Sequence, residues 1–148
     1  MTEHDSAAIA REFFEAWNER DFDRGATLVA DDGELVEVAT NERYTGADGL
    51  RQEYDKWANA FRDGRVQIRN SFSAGEWAVT ESTFRGTNNG TFVGAAGEIP
   101  ATGRELEFEF CTVTRVRGGR IALVRHYHDN ATIMQRLGLM PEGAAAPA

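Results

Sequence analysis

Cysteine occurs once, at Cys111, so the chain can close no disulfide on itself and can assemble no cysteine-rich zinc site. Basic side chains are outnumbered: 16 Lys and Arg against 24 Asp and Glu leave a net charge of −8, which opposes phosphate backbones and anionic lipid surfaces. We therefore expect no nucleic acid and no membrane among the partners. No apolar run approaches the ~20 residues of a membrane span. The segment Met1-Thr2-Glu3-His4-Asp5-Ser6 is acidic and polar where a secretory leader is basic and then apolar. The expected location is cytoplasmic. Lysine is nearly absent as well, with Lys56 the only one beside 15 Arg, a bias to which composition alone attaches no function.

What is present suits one ordinary domain. With 148 residues, 41% hydrophobic and 27% charged, the chain has enough apolar surface for one core and no room for a second of normal size. We expect a domain over 1–140 and a flexible tail over 141–148. Ile9, Phe13, Ala16 and Trp17 recur at helical spacing behind the capping candidates Asp5 and Ser6. Asp21 can cap a second short helix carrying Phe22, Ala26 and Val29 to a turn at Asp31-Asp32-Gly33, before short strands over Glu34–Ala39 and Arg43–Thr45. A third helix begins near Ala47, presents Leu50, Tyr54, Trp57, Ala58 and Phe61 on one side, and ends at Asp63-Gly64.

Beyond it the period changes to two. Strands are expected at Val66–Arg69 and Trp77–Arg85, then a glycine-rich connection from Gly86 to Gly103 acting as a mobile flap. In the next strand Leu106, Phe108, Phe110, Thr112 and Thr114 share one face, and Glu105, Glu107, Glu109, Cys111 and Val113 the other. Gly118-Gly119 turns into a last strand, Arg120–His128, with Ala122, Val124, His126 and His128 on one face and Ile121, Leu123 and Tyr127 opposite. A terminal helix capped by Asp129 or Asn130 runs to Leu137 and stops at Gly138. Helices followed by hairpin-linked strands argue for an α+β fold, a curved antiparallel sheet wrapped over three N-terminal helices to leave a cone-shaped pocket, with a short C-terminal helix. Because the last strand is apolar on both faces and the helices can cover only one, a homodimer through the outer face is expected.

Several spaced motifs carry a resemblance. Ala16-Trp17-Asn18-Glu19-Arg20-Asp21-Phe22-Asp23 resembles the helix junction of the nuclear transport factor two-like (cystatin-like) superfamily. Gly86-Thr87-Asn88-Asn89-Gly90-Thr91-Phe92, Ile99-Pro100-Ala101-Thr102-Gly103-Arg104, Gly119-Arg120-Ile121, His126-Tyr127-His128-Asp129 and Gln135-Arg136-Leu137-Gly138-Leu139 resemble its SnoaL-like polyketide cyclase branch. The resemblance implies ring closure by aldol condensation without metal or cofactor, using an aspartate and a histidine in the pocket. Aligned residue by residue, those two positions hold His126 and Thr112 here, so neither catalytic residue type is retained.

His126, on the face turned toward the cavity, is the first acid/base candidate, against the alternative of a histidine hydrogen-bonded for packing. Glu81 is the second, if its side chain enters the cavity rather than pairing with an Arg outside. Tyr54, Trp57, Phe84, Phe108, Phe110, Thr112 and His128 complete the expected site as ligand-contacting residues, with Tyr54 and Trp57 offering polar atoms. His126, His128 and Asp129 lack a further metal-ligating partner, so no metal is expected; the resemblance implies that no cofactor is needed, and Asp129 serves better as a cap. The expected ligand is a small apolar organic molecule, handled by a cofactor-independent cyclase, isomerase or lyase. The rival is a binding or accessory protein that uses the same pocket without chemistry.

Overall fold

The computed structural model describes residues 3–94 and 97–140, so the expected tail lies outside the described residues. Helices α1 (Glu3–Asn18) and α2 (Phe22–Thr27) precede strands β1 (Val29–Glu37) and β2 (Glu42–Thr45), and α3 (Gly46–Ala60) follows. Strands β3 (Arg65–Ala74), β4 (Trp77–Thr87), β5 (Phe92–Gly94), β6 (Gly97–Ile99), β7 (Glu105–Arg117) and β8 (Arg120–His128) lead to α4 (Asn130–Arg136). Six strands form one sheet in the order β2-β1-β8-β7-β4-β3, with α1 packed on β3, β4 and β7 and α3 on β1 and β2. The sheet is mixed rather than wholly antiparallel, because β1 runs parallel to β8.

Local chemistry sets the boundaries. Asp21 caps α2 by accepting from the Arg24 amide at 3.1 Å, and Asp129 caps α4 through the Thr132 amide and hydroxyl. Ser6 is not a cap, since α1 already runs at Glu3, and its hydroxyl donates to the Trp77 carbonyl. At Gly138 a positive φ of 76° lets the Leu139 amide return to the Met134 carbonyl, closing the last helix.

Three expectations change. Asp31-Asp32-Gly33 is no turn: β1 continues through it, bulging so that the partners of Val29 and Glu34 on β8 are Ile121 and Leu123. The matching irregularity in β7, between Arg115 and Val116, leaves Ala122 without a ladder partner. One unpaired residue inverts the alternation, which is why Ile121 is fully buried in the core instead of sharing the outer face with Leu123 and Tyr127. The glycine-rich connection is also folded, as the β5–β6 hairpin. Asn88, fully buried, anchors it: its Nδ2 donates to the carbonyls of Ala60 and Gly90, and its Oδ1 accepts from the amide and hydroxyl of Thr102. Gly90 passes so close to α3 that a Cβ there would stand 1.8 Å from the Asn59 carbonyl oxygen.

The β7 alternation holds as read. Leu106, Phe108, Thr112 and Thr114 are buried and Phe110 is half-buried, while Glu105, Glu107 and Glu109 are exposed. That inner face, with Phe84 of β4, Leu35 of β1 and Val124 of β8, meets Phe13, Phe14 and Trp17 of α1 and Leu50, Tyr54 and Phe61 from the α3 side in one core cluster.

Candidate active site

Between the concave sheet and the helices lies a cavity of about 70 Å³, walled by Phe13, Phe14, Trp17, Trp57, Phe84, Phe108, Phe110 and Val66, with Glu37, Glu53, Tyr54, His126 and His128 among its lining residues. His126 reaches it because β8 presents alternate residues inward past the bulge. Across the sheet His126 pairs with Thr112 of β7 on one side and Glu37 of β1 on the other. Its Nδ1 is joined to Thr112 Oγ1 at 2.8 Å, and its Nε2 faces Glu53 Oε1 of α3 at 3.5 Å. The first contact fixes the ring. The second is too long for a well-formed hydrogen bond but within ion-pair reach.

The helix supplies the charges. Leu50, Glu53, Tyr54 and Trp57 fall at i, i+3, i+4 and i+7, so Glu53 occupies the buried stripe of α3, and Lys56 borders it. Lys56 Nζ donates to Glu37 and, at 3.2 Å, to Glu42, while Trp57 Nε1 donates to the other Glu37 oxygen at 3.0 Å. The Glu37 carboxyl also meets the Glu53 carboxyl in a hydrogen-bonding contact that favours a protonated Glu37 and an ionised Glu53. Among the described residues no N–H or hydroxyl donates to Glu53 Oε2, which is buried. A buried ionic group of this kind is held by its partners or not at all.

Burial disfavours a charged His126, but the close negative charge of Glu53, aided by Glu37, outweighs burial and raises the imidazole above its ordinary value. Burial likewise works to raise Glu53, and His126 overrides it, so that carboxyl is lowered. Glu37 is raised, by burial first and then by the charge of Glu53, with Lys56 opposing. His128, half-buried at the same wall, is lowered, chiefly by burial and secondarily by the charges of His126 and Lys56. The site thus favours the charged form of one ring beside the neutral form of the other.

The cavity brings together His126, His128, Trp57, Tyr54, Phe84, Phe108 and Phe110, with Thr112 directly behind His126. It does not include Glu81. That side chain is exposed on the outer face, where it pairs across strands with Cys111 and accepts from Asn70 Nδ2 at 3.0 Å, because β4 turns Thr80 and Ser82 inward instead. The polar handles of Tyr54 and Trp57 are occupied internally: the phenol donates to the Phe13 carbonyl and the indole to Glu37. Sequence reasoning missed Glu37, Glu53 and Lys56. The signal for Glu53 was its place in the apolar stripe of α3, and for Lys56 its being the only lysine. Among the described residues no group of three or more His, Cys, Asp and Glu is placed to hold a metal ion.

A model of the SnoaL-like polyketide cyclase family matches residues 7–137. The chain belongs to that family. Among functionally curated proteins, none matches this SnoaL-like chain. In solved structures it is similar to a protein provisionally assigned as a SnoaL-like polyketide cyclase from Jannaschia sp. CCS1, at 17% identity and a TM-score of 0.81 over 94% of this chain and 95% of that one. It is also similar to a Catenulispora acidiphila DSM 44928 protein with a ketosteroid isomerase-like fold in complex with trimethylamine (20% identity, TM-score 0.75, 89% and 93% covered). A third is an LEH-like epoxide hydrolase from M. tuberculosis (21%, 0.70, 91% and 90%). At these identities the likeness carries the fold. The neighbours' names span different reactions, as expected of a fold whose chemistry resides in its pocket.

Proposed function

We propose that this SnoaL-like chain is a cofactor-independent acid/base enzyme acting on a small organic carbonyl compound, with His126 as the proton-transfer residue. The observation that carries the reading is a buried imidazole that lines the cavity, fixed at Nδ1 by Thr112 and with Nε2 beside Glu53. The raised pKa favours imidazolium as the starting form of the ring. Nε2 gives its proton to the ligand's carbonyl oxygen. The neutral imidazole then takes a proton from the adjacent carbon, whose C–H electrons become the double bond of an enol. Returning the proton at another carbon is isomerisation; attack of the enol carbon on a second carbonyl of the same molecule is ring closure. Glu53 stabilises the ring whenever it carries the proton, and the aromatic walls exclude water, which strengthens that stabilisation.

Solvent exchange tests this without knowledge of the natural substrate. In D2O the protein should catalyse loss of the α-proton signal from members of a panel of small ketones and 1,3-diketones, with His126→Gln lowering the rate about 10²–10⁴-fold. Binding of panel members with no exchange above background would favour the binding-protein reading. That reading draws on one feature: both nitrogens of His126 already have protein neighbours. We also infer a cytoplasmic homodimer, built through the outer sheet face.

A further inference from the structure

The acid/base reading leaves the ligand's own charge open, and the groups around the cavity narrow it. Glu37 and Glu53 line the space and Glu42 stands behind them, against one fixed cation, Lys56, which is already shared between Glu37 and Glu42. The second cation, His126, faces Glu53 through Oε1 alone. Among the described residues Glu53 Oε2 is thus a buried carboxylate oxygen with no N–H or hydroxyl donor, on a side chain only 4% exposed.

Around it the wall is aromatic. Ring faces carry the negative end of the π quadrupole and attract cations. Lys56 already uses that attraction, its ammonium standing 5.5 Å from the Trp57 ring centroid and 5.6 Å from that of Phe92. A neutral apolar ligand would pack on the rings and leave Oε2 bare, an anion would be repelled by it, and a hydroxyl would satisfy it while gaining little from the rings. Only a cation with an N–H answers both. We propose that the cavity takes a small protonated alkylamine, a tertiary ammonium whose N–H donates to Glu53 Oε2 and whose alkyl groups lie against Trp57, Phe108 and the phenylalanines of α1. The space is about half the ~150 Å³ that admits benzene, so the cationic group has few heavy atoms. The proposal rests on the acid/base reading for the location of the site and adds the charge of the molecule that enters it.

Calorimetric titration of the full chain at neutral pH with trimethylammonium chloride, tert-butanol and pivalate tests it, since the three share a branched apolar shell and differ in charge. We expect saturable binding of trimethylammonium, at least tenfold weaker binding of tert-butanol and none of pivalate. Glu53→Gln should weaken the amine at least tenfold and tert-butanol by less than about threefold, since the Gln carbonyl still accepts from a hydroxyl, and Glu81→Gln, on the outer face, should change neither. Failure of the amine to bind, or tert-butanol or pivalate binding as tightly, would overturn the proposal on the parent protein alone, whatever the variants do. An unchanged amine affinity in folded Glu53→Gln would overturn it too. The exchange assay fails separately: an amine that binds a protein without exchange activity removes the enzyme reading and keeps this one, whereas ketone exchange without amine binding does the reverse.

Discussion

A single carboxylate decides what His126 is. Were the ring merely buried, desolvation would keep it neutral; Glu53 reverses that, and with it the sign of the pH dependence. A histidine raised above its ordinary 6.5 contributes stability that is fully present below that value and lost as pH rises through the folded pKa. Glu53, lowered from 4.5, contributes stability present above 4.5 and lost as pH falls through its depressed value. The pair is therefore most stabilising between the two windows. NMR titration of His126 should give a midpoint above 6.5 in the parent and below 6.5 in Glu53→Gln, where burial and the charge of Lys56 outweigh Glu37. A midpoint unmoved by the substitution would remove Glu53 from this role. His126 was legible from strand alternation together with the family resemblance, and Thr112 from that resemblance; the pairing of β7 with β8 sets the two side by side. Glu81 was not, because a glutamate on a central strand can face either way and only the pairing with β7 tells which. Glu53 was hidden by the assumption that a helix buries its apolar residues and exposes its charges, which fails where charges have partners inside.

Elements were read well where the period was long and unbroken. The β7 alternation gave the pocket wall correctly, and the spacing in α1 and α3 gave the helices. Bulges defeated the reading at Ile121, since an unpaired residue is a matter of two strands and leaves no mark on one. The glycine-rich segment hid a hairpin for a similar reason: its order comes from Asn88, whose four hydrogen bonds connect the end of α3 to both arms of the connection. Asn88→Ala should cost about 2–4 kcal/mol in chemical denaturation, from lost bonds and stranded carbonyl and amide groups. Native-state hydrogen exchange should quicken first in residues 88–104. A loss below 0.5 kcal/mol would mean that the hairpin is held by Phe92, which packs on Trp57 and Phe61, rather than by Asn88.

For the whole molecule, the face of the sheet away from the helices is the open question that the fold poses. Phe72, Val79, Val113 and Arg125 form a row across four strands there, with Trp77 and Tyr127 exposed nearby. Phe72 is 56% exposed, which is costly for a side chain whose burial is worth about 1.5–3 kcal/mol. We expect light scattering at micromolar concentration to give the dimer mass, and Phe72→Glu to shift it toward monomer without loss of secondary structure. A monomeric parent would refute the outer-face interface.

The seclusion of Lys56 reaches beyond the site itself. Of the 16 Lys and Arg side chains every other one is an arginine, so the only lysine ε-amine in the sequence is clamped between two glutamates beside aromatic rings. Reagents that acylate or cross-link free lysine amines find none on the outer surface, and a lysine-specific label becomes a reporter of the interior: it attaches only to molecules whose helix α3 has come away from the sheet.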